Sequence, residues 1–525
     1  MVRYLKAHQE NLLLIGLSIL FAISYTQYPL FSSNQNTYFL PGFSCAHVGN
    51  LEQDWLANTQ DATPLFSILV CQTLRWIHGY AIFYFLYGGC LALYFVTFYK
   101  IIQTQLNHSS AAQKSVTIAL IFLLHSAALR FLIGHLIGQN WIYFFEGGLA
   151  NQRMLGSVFQ PSVFGVFLLV SVYFLLKNRY NLAILSLAIA TWFHPTYLLP
   201  SAMLLIAYMV MIFDKYKYSI SQQTKSVIFQ CSNLLLFYLL LISPILIYTL
   251  VHFALAPPEI SQKAAAILVN YRIPHHADIH TWFNVTSVAQ ILILTAAIYF
   301  ARQRPLSLLL MSTSLMGVTL TFIQLISRNN QLALLFPWRI SILLMPLSFT
   351  ILIARSVEKL FSSIETLPIR NPLSQKLKRL LFGLSLGLIV MVTLIGALRQ
   401  WLDIRRYATA EEIPLYKFVS SHLSPDDLYL VPPKMENFRL ASGAASYVDF
   451  KSSPYQSEEV LEWYRRLSIS NDFFKNPSCK AIKTLQDENI SYIVLPTSVH
   501  LDCTQLRLIY ISPAYSVYQL VKTTD

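Results

Sequence analysis

About eleven apolar segments of near-bilayer length recur along this chain, and they leave it few ways to fold. A hydrocarbon core needs about 20 residues of helix to cross it, and inside it each backbone polar group must find a partner within its own segment. The segments run over 11–30, 79–102, 115–138, 159–176, 180–193, 197–213, 227–254, 285–301, 306–326, 338–354 and 381–401. The fifth is short, and only His194-Pro195-Thr196 separates it from the sixth. Charged residues make up 12% of the 525, against about 25% in soluble domains. The chain reads as an α-helical polytopic membrane protein. MVRYLKAHQE precedes the first segment without a small-residue cleavage pattern, so that segment is expected to stay as a helix.

Lys and Arg give the direction. Arg3, Lys6, Lys100, Lys114, Lys177, Arg179, Lys215, Lys217, Arg302, Arg304 and the run from Arg355 through Arg370 to Arg379 all fall on one side when eleven spans alternate. Only isolated residues such as Arg75 and Arg328 fall on the other. The basic side is expected to be cytoplasmic, as in the inner membrane of a bacterium. The net charge of +13 is thereby explained as topology, which argues against nucleic acid as a partner. The long first loop 31–78, the loops 139–158, 255–284 and 327–337, and everything after 401 then share the outer face.

Within 1–401 the chain is membrane domain; 402–525 reads as a small extracytoplasmic α/β domain. DDLYLVPP, ISYIVLP, LRLIYIS and YSVYQLV have strand character, and SEEVLEWYRRL and SCKAIKTLQDE have helical periodicity. Cys479 and Cys503 lie there, and whether they pair depends on a distance that sequence does not give. Cys71, Cys90 and Cys231 lie in apolar stretches and read as packing residues.

Chemistry is expected on the outer face. The first loop carries Glu52, Asp54 and Asp61 among aromatic residues including Trp55; such acids either solvate a surface loop or act as a general base. In YRIPHHADIHTWF, the spacing of His276 and His280 with Asp278 between them is a weak divalent-metal pattern. Phosphate recognition by Arg272 with His275 and His276 is the stronger reading. EGGLANQR contributes Glu146, Gln152 and Arg153, the helix break contributes His194, and FPWRIS contributes Arg339. Arg153 and Arg339 are the leading anion contacts, because a cation this near hydrocarbon tends to be functional. Arg130, between His125 and His135, raises the same question deeper in. No Gly-rich phosphate loop followed by Lys-Ser/Thr is present, so ATP-driven transport has no support.

The layout, with NQNTYFL and LEQDWL in the first loop, RIPHH further on and YVDFKSSP and IYISPAYSVYQLV in the tail, resembles the GT-C superfamily of integral membrane glycosyltransferases. The resemblance implies a polyprenyl-phosphate-linked sugar as donor, a glycan or protein as acceptor, and inverting transfer on the outer face during cell-envelope glycan assembly. It implies no certain cofactor and leaves a divalent metal open. Many members have an acidic pair where this chain has Asn34-Gln35, and an amide takes no proton at neutral pH. The base is therefore expected at Asp54, with Glu52 in support, in a pocket shared with Asn34, Gln35, Trp55, Glu146 and His194. The rival reading is non-enzymatic: a transporter or flippase of lipid-linked intermediates, or a catalytically silent partner. Transporters often carry matched broken helices, and only the break at His194-Pro195 is evident.

Topology is directly testable. Reporter fusions after Lys217 and Arg304 are expected to read cytoplasmic and a fusion after Lys451 external; a cytoplasmic tail would overturn the shared outer face.

Overall fold

The computed structural model describes residues 2–77, 79–104, 106, 110–216, 222–301, 304–365 and 372–521. Lys217, Arg302 and Arg370 lie outside them, as do the side chains of Arg3 and Lys6. Among the described residues six helices are long and apolar enough to span: Ile82–Gln103, Pro195–Tyr216, Ser226–Phe253, Arg304–Ser327, Asn330–Ile364 and Ser374–Ala408. A seventh span is formed if the pair Ala111–Leu124 and Ala127–Leu136, bent by 55°, is counted as one. Four more apolar helices, Gln9–Tyr25, Pro161–Leu176, Tyr180–Phe193 and Val285–Phe300, are shorter than a bilayer core.

The bend has a local cause. His125 Nδ1 donates to the Ile121 carbonyl at 2.9 Å, its Nε2 accepts from the Tyr94 hydroxyl at 2.9 Å, and Ser126 caps the second helix by accepting from Leu129 N–H. Arg130 follows, and its position answers the question its sequence raised. It pairs with Glu146 at 2.8 Å, donates to the carbonyls of Tyr25 and His125, and lies 4.3 Å from the Tyr25 ring centroid. Arg130 is thus answered by a carboxylate inside the protein, and Glu146 is held in that pair by Oε1 while its buried Oε2 has no hydrogen-bond partner.

Basic side chains meet at one end of the bundle. Lys215 donates to Asn178, Arg304 pairs with Asp214 at 2.5 Å, and Lys100 and Lys177 flank the Tyr173 ring. The opposite end carries the loops and a five-stranded sheet. Its strands are β1 (Leu428–Leu430), β2 (Ala445–Ser446), β3 (Tyr492–Pro496), β4 (Leu506–Ile511) and β5 (Tyr515–Leu520), in the order β2-β1-β3-β5-β4. β1 runs parallel to β2 and β3; β5 is antiparallel to β3 and β4. Period-two alternation along β3 sends Ile493 and Leu495 to a core with Trp463, Leu467 and Ile482, and Val494 to a second core with Leu415, Val419 and Tyr429. The last membrane helix runs to Ala408, past the boundary at 401 that hydropathy suggested.

Cys479 and Cys503 are disulfide-bonded. Cys71, read from sequence as a packing residue, is instead bonded to Cys45, which ties the helix Leu40–Cys45 to the helix Pro64–Trp76. Cys90 and Cys231 are free.

One buried ionic cluster joins the first loop to the sheet domain. Asp54 follows the 3-10 turn Leu51–Gln53 and is fully buried. Its Oδ1 accepts from the backbone N–H of Leu56 and Ala57 at 2.9 and 3.1 Å. Its Oδ2 accepts from Arg439 Nε at 2.7 Å and from Ser446 N–H at 2.8 Å. Arg439 also bonds Asp449 and the Ser446 carbonyl. Beside the cluster Gly49, at φ +61°, lies so close to Gly443 that a Cβ would fall 2.1 Å from the Gly443 carbonyl oxygen. Asp54 therefore does not stand at a cavity mouth: its four acceptor positions are filled by protein. Glu52 points to water, paired with the exposed His47 at 2.5 Å.

Removing one partner from a buried ion cluster costs about 3–5 kcal/mol. Asp54→Asn is expected to lower the melting midpoint in detergent and to expose the 402–525 domain to protease, with Glu52→Gln close to wild type. Equal midpoints for both variants would contradict the clamp.

Candidate functional site

Four cations from four different elements converge above the helix break. Arg339 sits in the 3-10 turn Pro337–Ile340, which Phe336 enters at a φ of +50°. Its guanidinium bonds Gln152 Oε1 and lies 5.2 Å from the Tyr197 ring centroid. Arg153 leaves a loop in which Ala150 and Asn151 are both left-handed, at φ +55° and +52°. Gly148 lets that loop approach Ser341, where a Cβ would fall 2.2 Å from the hydroxyl oxygen and 2.6 Å from the backbone carbonyl carbon. Non-glycine residues in this region are strained and are held only where surrounding packing demands it. Arg153 is exposed and lies 3.7 Å from the Tyr143 ring centroid. Arg272 ends the π-helical turn Leu268–Arg272, bonds the Lys451 carbonyl and lies 5.3 Å from the Phe450 ring centroid. Lys451, half-buried, is the fourth cation.

None of the four has a carboxylate within salt-bridge distance among the described residues. The Nε atoms of Arg272 and Arg339 are buried with no hydrogen-bond partner, as is Nδ1 of His194. Arg130 and Arg439, also largely buried, are instead paired with carboxylates. Unpaired guanidinium groups held by aromatic faces and carbonyls form an arrangement that an anion would complete.

The histidines share this space. His276 Nδ1 donates to the Ala150 carbonyl at 2.7 Å, which leaves Nε2 as an acceptor, and the His275 ring lies 4.1 Å away, centroid to centroid. Burial, then its neighbour His275 and the charges of Arg339 and Arg153, lower the His276 pKa well below its ordinary value. Partial burial with Arg272, Lys451 and Arg153 lowers that of His275. Both rings are neutral at pH 7. Burial, with Arg272 and Arg153 nearby, also lowers Lys451, against the opposing pull of Glu436, whose own pKa burial raises.

Two clefts adjoin the cluster. One, of about 400 Å³, is lined by Tyr38, Gln60, Asp61, Thr63 and Tyr455. Tyr38 links it to the cations: its hydroxyl is 3.5 Å from that of Tyr455, its ring stands 5.8 Å from the His194 ring, and Arg339 and Arg272 both act on its phenol. Asp61 keeps a short bond from Thr63 N–H to Oδ1, and burial raises its pKa. Its loop is held by Tyr248, which donates to the Asp61 carbonyl at 2.6 Å, and by Glu459, which accepts from Gln60 N–H. The other cleft, of about 430 Å³, is lined by Gln139, Asn140, Tyr143, Arg153, Trp282 and Gln290 among others.

Of the residues singled out in the sequence, Arg153, Arg272, Arg339, His275, His276 and His194 come together. Others do not. Gln35 is buried in the loop's own packing, accepting from Phe31 N–H, and the Asn34 carbonyl accepts from Tyr38 N–H. Trp55 packs under the Arg466 guanidinium at 4.3 Å. The metal pattern dissolves because His276 and His280 sit on two separate short helices, with Asp278 capping the second by accepting from His280 N–H. Among the described residues no group of three or more His, Cys, Asp or Glu side chains is gathered to hold a metal. Lys451, Glu436, Tyr455 and Tyr38 were not singled out, although YVDFKSSP contains the lysine and NQNTYFL contains Tyr38.

Residues 410–469 match the model of a domain of unknown function, DUF6798. That segment supplies Glu436, Arg439, Asp449, Lys451, Tyr455 and Glu459. No curated protein matches the chain.

Proposed function

We propose that this protein is a multi-pass membrane glycosyltransferase that takes a polyprenyl-phosphate-linked sugar on the outer face of the membrane. The observation that carries the reading is the set of cations without carboxylate partners, at the end of the bundle opposite the basic loops. The six long helices, the bent pair and the four shorter apolar helices together number eleven, which would set the N-terminus inside and the sheet domain outside. Two disulfides at the sheet-domain end agree with an oxidising compartment.

In this reading Arg153, Arg272, Arg339 and Lys451 hold the lipid phosphate, whose charge grows as it leaves. Neutral His275 and His276 add hydrogen bonds. Asp61 takes the role that sequence assigned to Asp54: desolvated and lining a cleft one tyrosine from the cations, it accepts the acceptor's proton. The acceptor oxygen bonds the anomeric carbon, the carbon–oxygen bond to phosphate breaks, and its electron pair departs with the phosphate. The amides and rings of the second cleft offer a seat for a sugar. The amide pair Asn34-Gln35 favours the rival, a silent partner or a carrier of lipid-linked intermediates, which would bind the same lipid without transfer.

Asp61→Asn separates the two. A carboxylate whose folded pKa lies above its unfolded value destabilises the fold once ionised, so the variant is expected to melt at or above the wild-type temperature. It is expected to lose transfer of labelled sugar from membrane lipid in proteoliposomes by about a hundredfold or more. In the wild type, activity rises with pH through a pKa above the ordinary carboxylate range. Full activity in Asp61→Asn would remove the base; a wild type that binds lipid but never transfers would favour the rival.

A further inference from the structure

The helix Pro64–Trp76 has two unlike faces. Phe66, Ser67, Val70 and Cys71 are buried, and Cys71 is disulfide-bonded to Cys45. Ile68, Gln72, Arg75 and Trp76 follow the helical spacing of a single stripe and are exposed, Ile68 by 54% and Trp76 by 80%. Two contacts suit this stripe to a surface that is apolar beneath and charged above. Trp76 Nε1 donates to Gln72 Oε1 at 3.2 Å, so the indole can leave water without stranding its N–H. Arg75 donates through one Nη to the Cys45 carbonyl at 2.7 Å while its side chain stays exposed, which keeps further donors for an anionic oxygen.

Both ends of this helix are tied to the start of one membrane span. Near its beginning, the Phe66 ring lies 5.8 Å from that of Phe39, which lies 4.8 Å from that of Phe83 in the first turn of Ile82–Gln103. At its other end the chain passes from Trp76 into the same span. A helix of this length extends about 20 Å, so one tied at both ends to a single turn runs across the end of the bundle instead of rising from it. Exposed apolar residues continue along the chain from Trp76 through Ile77 and Tyr80 to Phe85, 75% exposed on the span itself. Continuity with the surface that the span presents to hydrocarbon selects lipid as the occupant of the stripe.

We propose that the helix Pro64–Trp76 lies flat in the phospholipid headgroup layer at the sheet-domain end of the molecule. Ile68 and Trp76 enter the acyl boundary, and Arg75 meets the lipid phosphates. Asp61 stands just ahead of the same helix, so the lipid contact fixes the height of that carboxylate above the membrane. The contact is independent of what the cation cluster holds.

Tryptophan fluorescence of the full chain in phosphatidylcholine vesicles with brominated acyl chains tests it, since bromine quenches an indole on contact. The Trp76 signal is the difference between wild type and Trp76→Phe. It is expected to fall by about half or more with bromine near the headgroup, and by less with bromine near the chain ends. Ile68→Trp, introduced into the Trp76→Phe protein at another exposed position, is expected to show the same order. A Trp76 signal quenched by aqueous iodide and not by brominated lipid would overturn the proposal and leave the face in water. Protection from both quenchers would overturn it in favour of a protein partner or a second copy on this face. Stronger quenching from the chain ends would place the indole in the acyl core, and iodide access at the Ile68→Trp position would confine the contact to the helix end; either would overturn the flat placement.

Discussion

The ionic cluster of Asp54, Arg439 and Asp449 holds the sheet-domain end of the molecule together. It fastens the first loop to the sheet domain with both carboxylates and the guanidinium fully buried, an arrangement that tolerates no missing member. Everything near the cations depends on that docking. The loop brings Tyr38 and Asp61; the domain brings Lys451, Glu436 and Tyr455; the membrane helices bring Arg339 and His194. Without the clamp the cleft between the first loop and Tyr455 would lose a wall, and Arg272 would lose the carbonyl that orients it.

Charge near a membrane is divided here into two kinds. Arg130 and Arg439 are each paired with carboxylates and carbonyls within the protein. Arg153, Arg272 and Arg339 rest on aromatic faces, which stabilise a cation only modestly and leave its charge available. Three of the left-handed non-glycine residues, Ala150, Asn151 and Phe336, lie in the segments that carry Arg153 and Arg339. Left-handed backbone and unmet charge thus coincide in the segments around the cation cluster.

Hydropathy located the apolar helices, six of them long enough to span among the described residues, since a bilayer imposes length directly. The tail's strands were equally open to reading, because alternation such as Ile493-Val494-Leu495 reflects two faces buried at once. The arginines were found because a charge beside hydrocarbon is conspicuous. The acids were misplaced for a physical reason: Asp54 and Asp61 are seven positions apart in one polar loop, and only tertiary docking buries one against Arg439 and leaves the other in a cleft. No local pattern distinguishes them. Lys451 escaped notice because a lysine in a soluble-looking tail is ordinary until the domain folds back over the membrane helices. The proposed metal pattern failed because a helical spacing was assumed where Asp278 starts a new helix.

The proposed function requires the unpaired cations to hold a lipid-linked phosphate. Native mass spectrometry of the full chain purified in mild detergent tests it most directly. The expected result is a bound species with the mass of a polyprenyl-linked phosphate or its glycan, depleted when Arg339 and Arg272 are both replaced by glutamine. A wild-type protein that carries no such lipid, or a double variant that retains it undiminished, would contradict it.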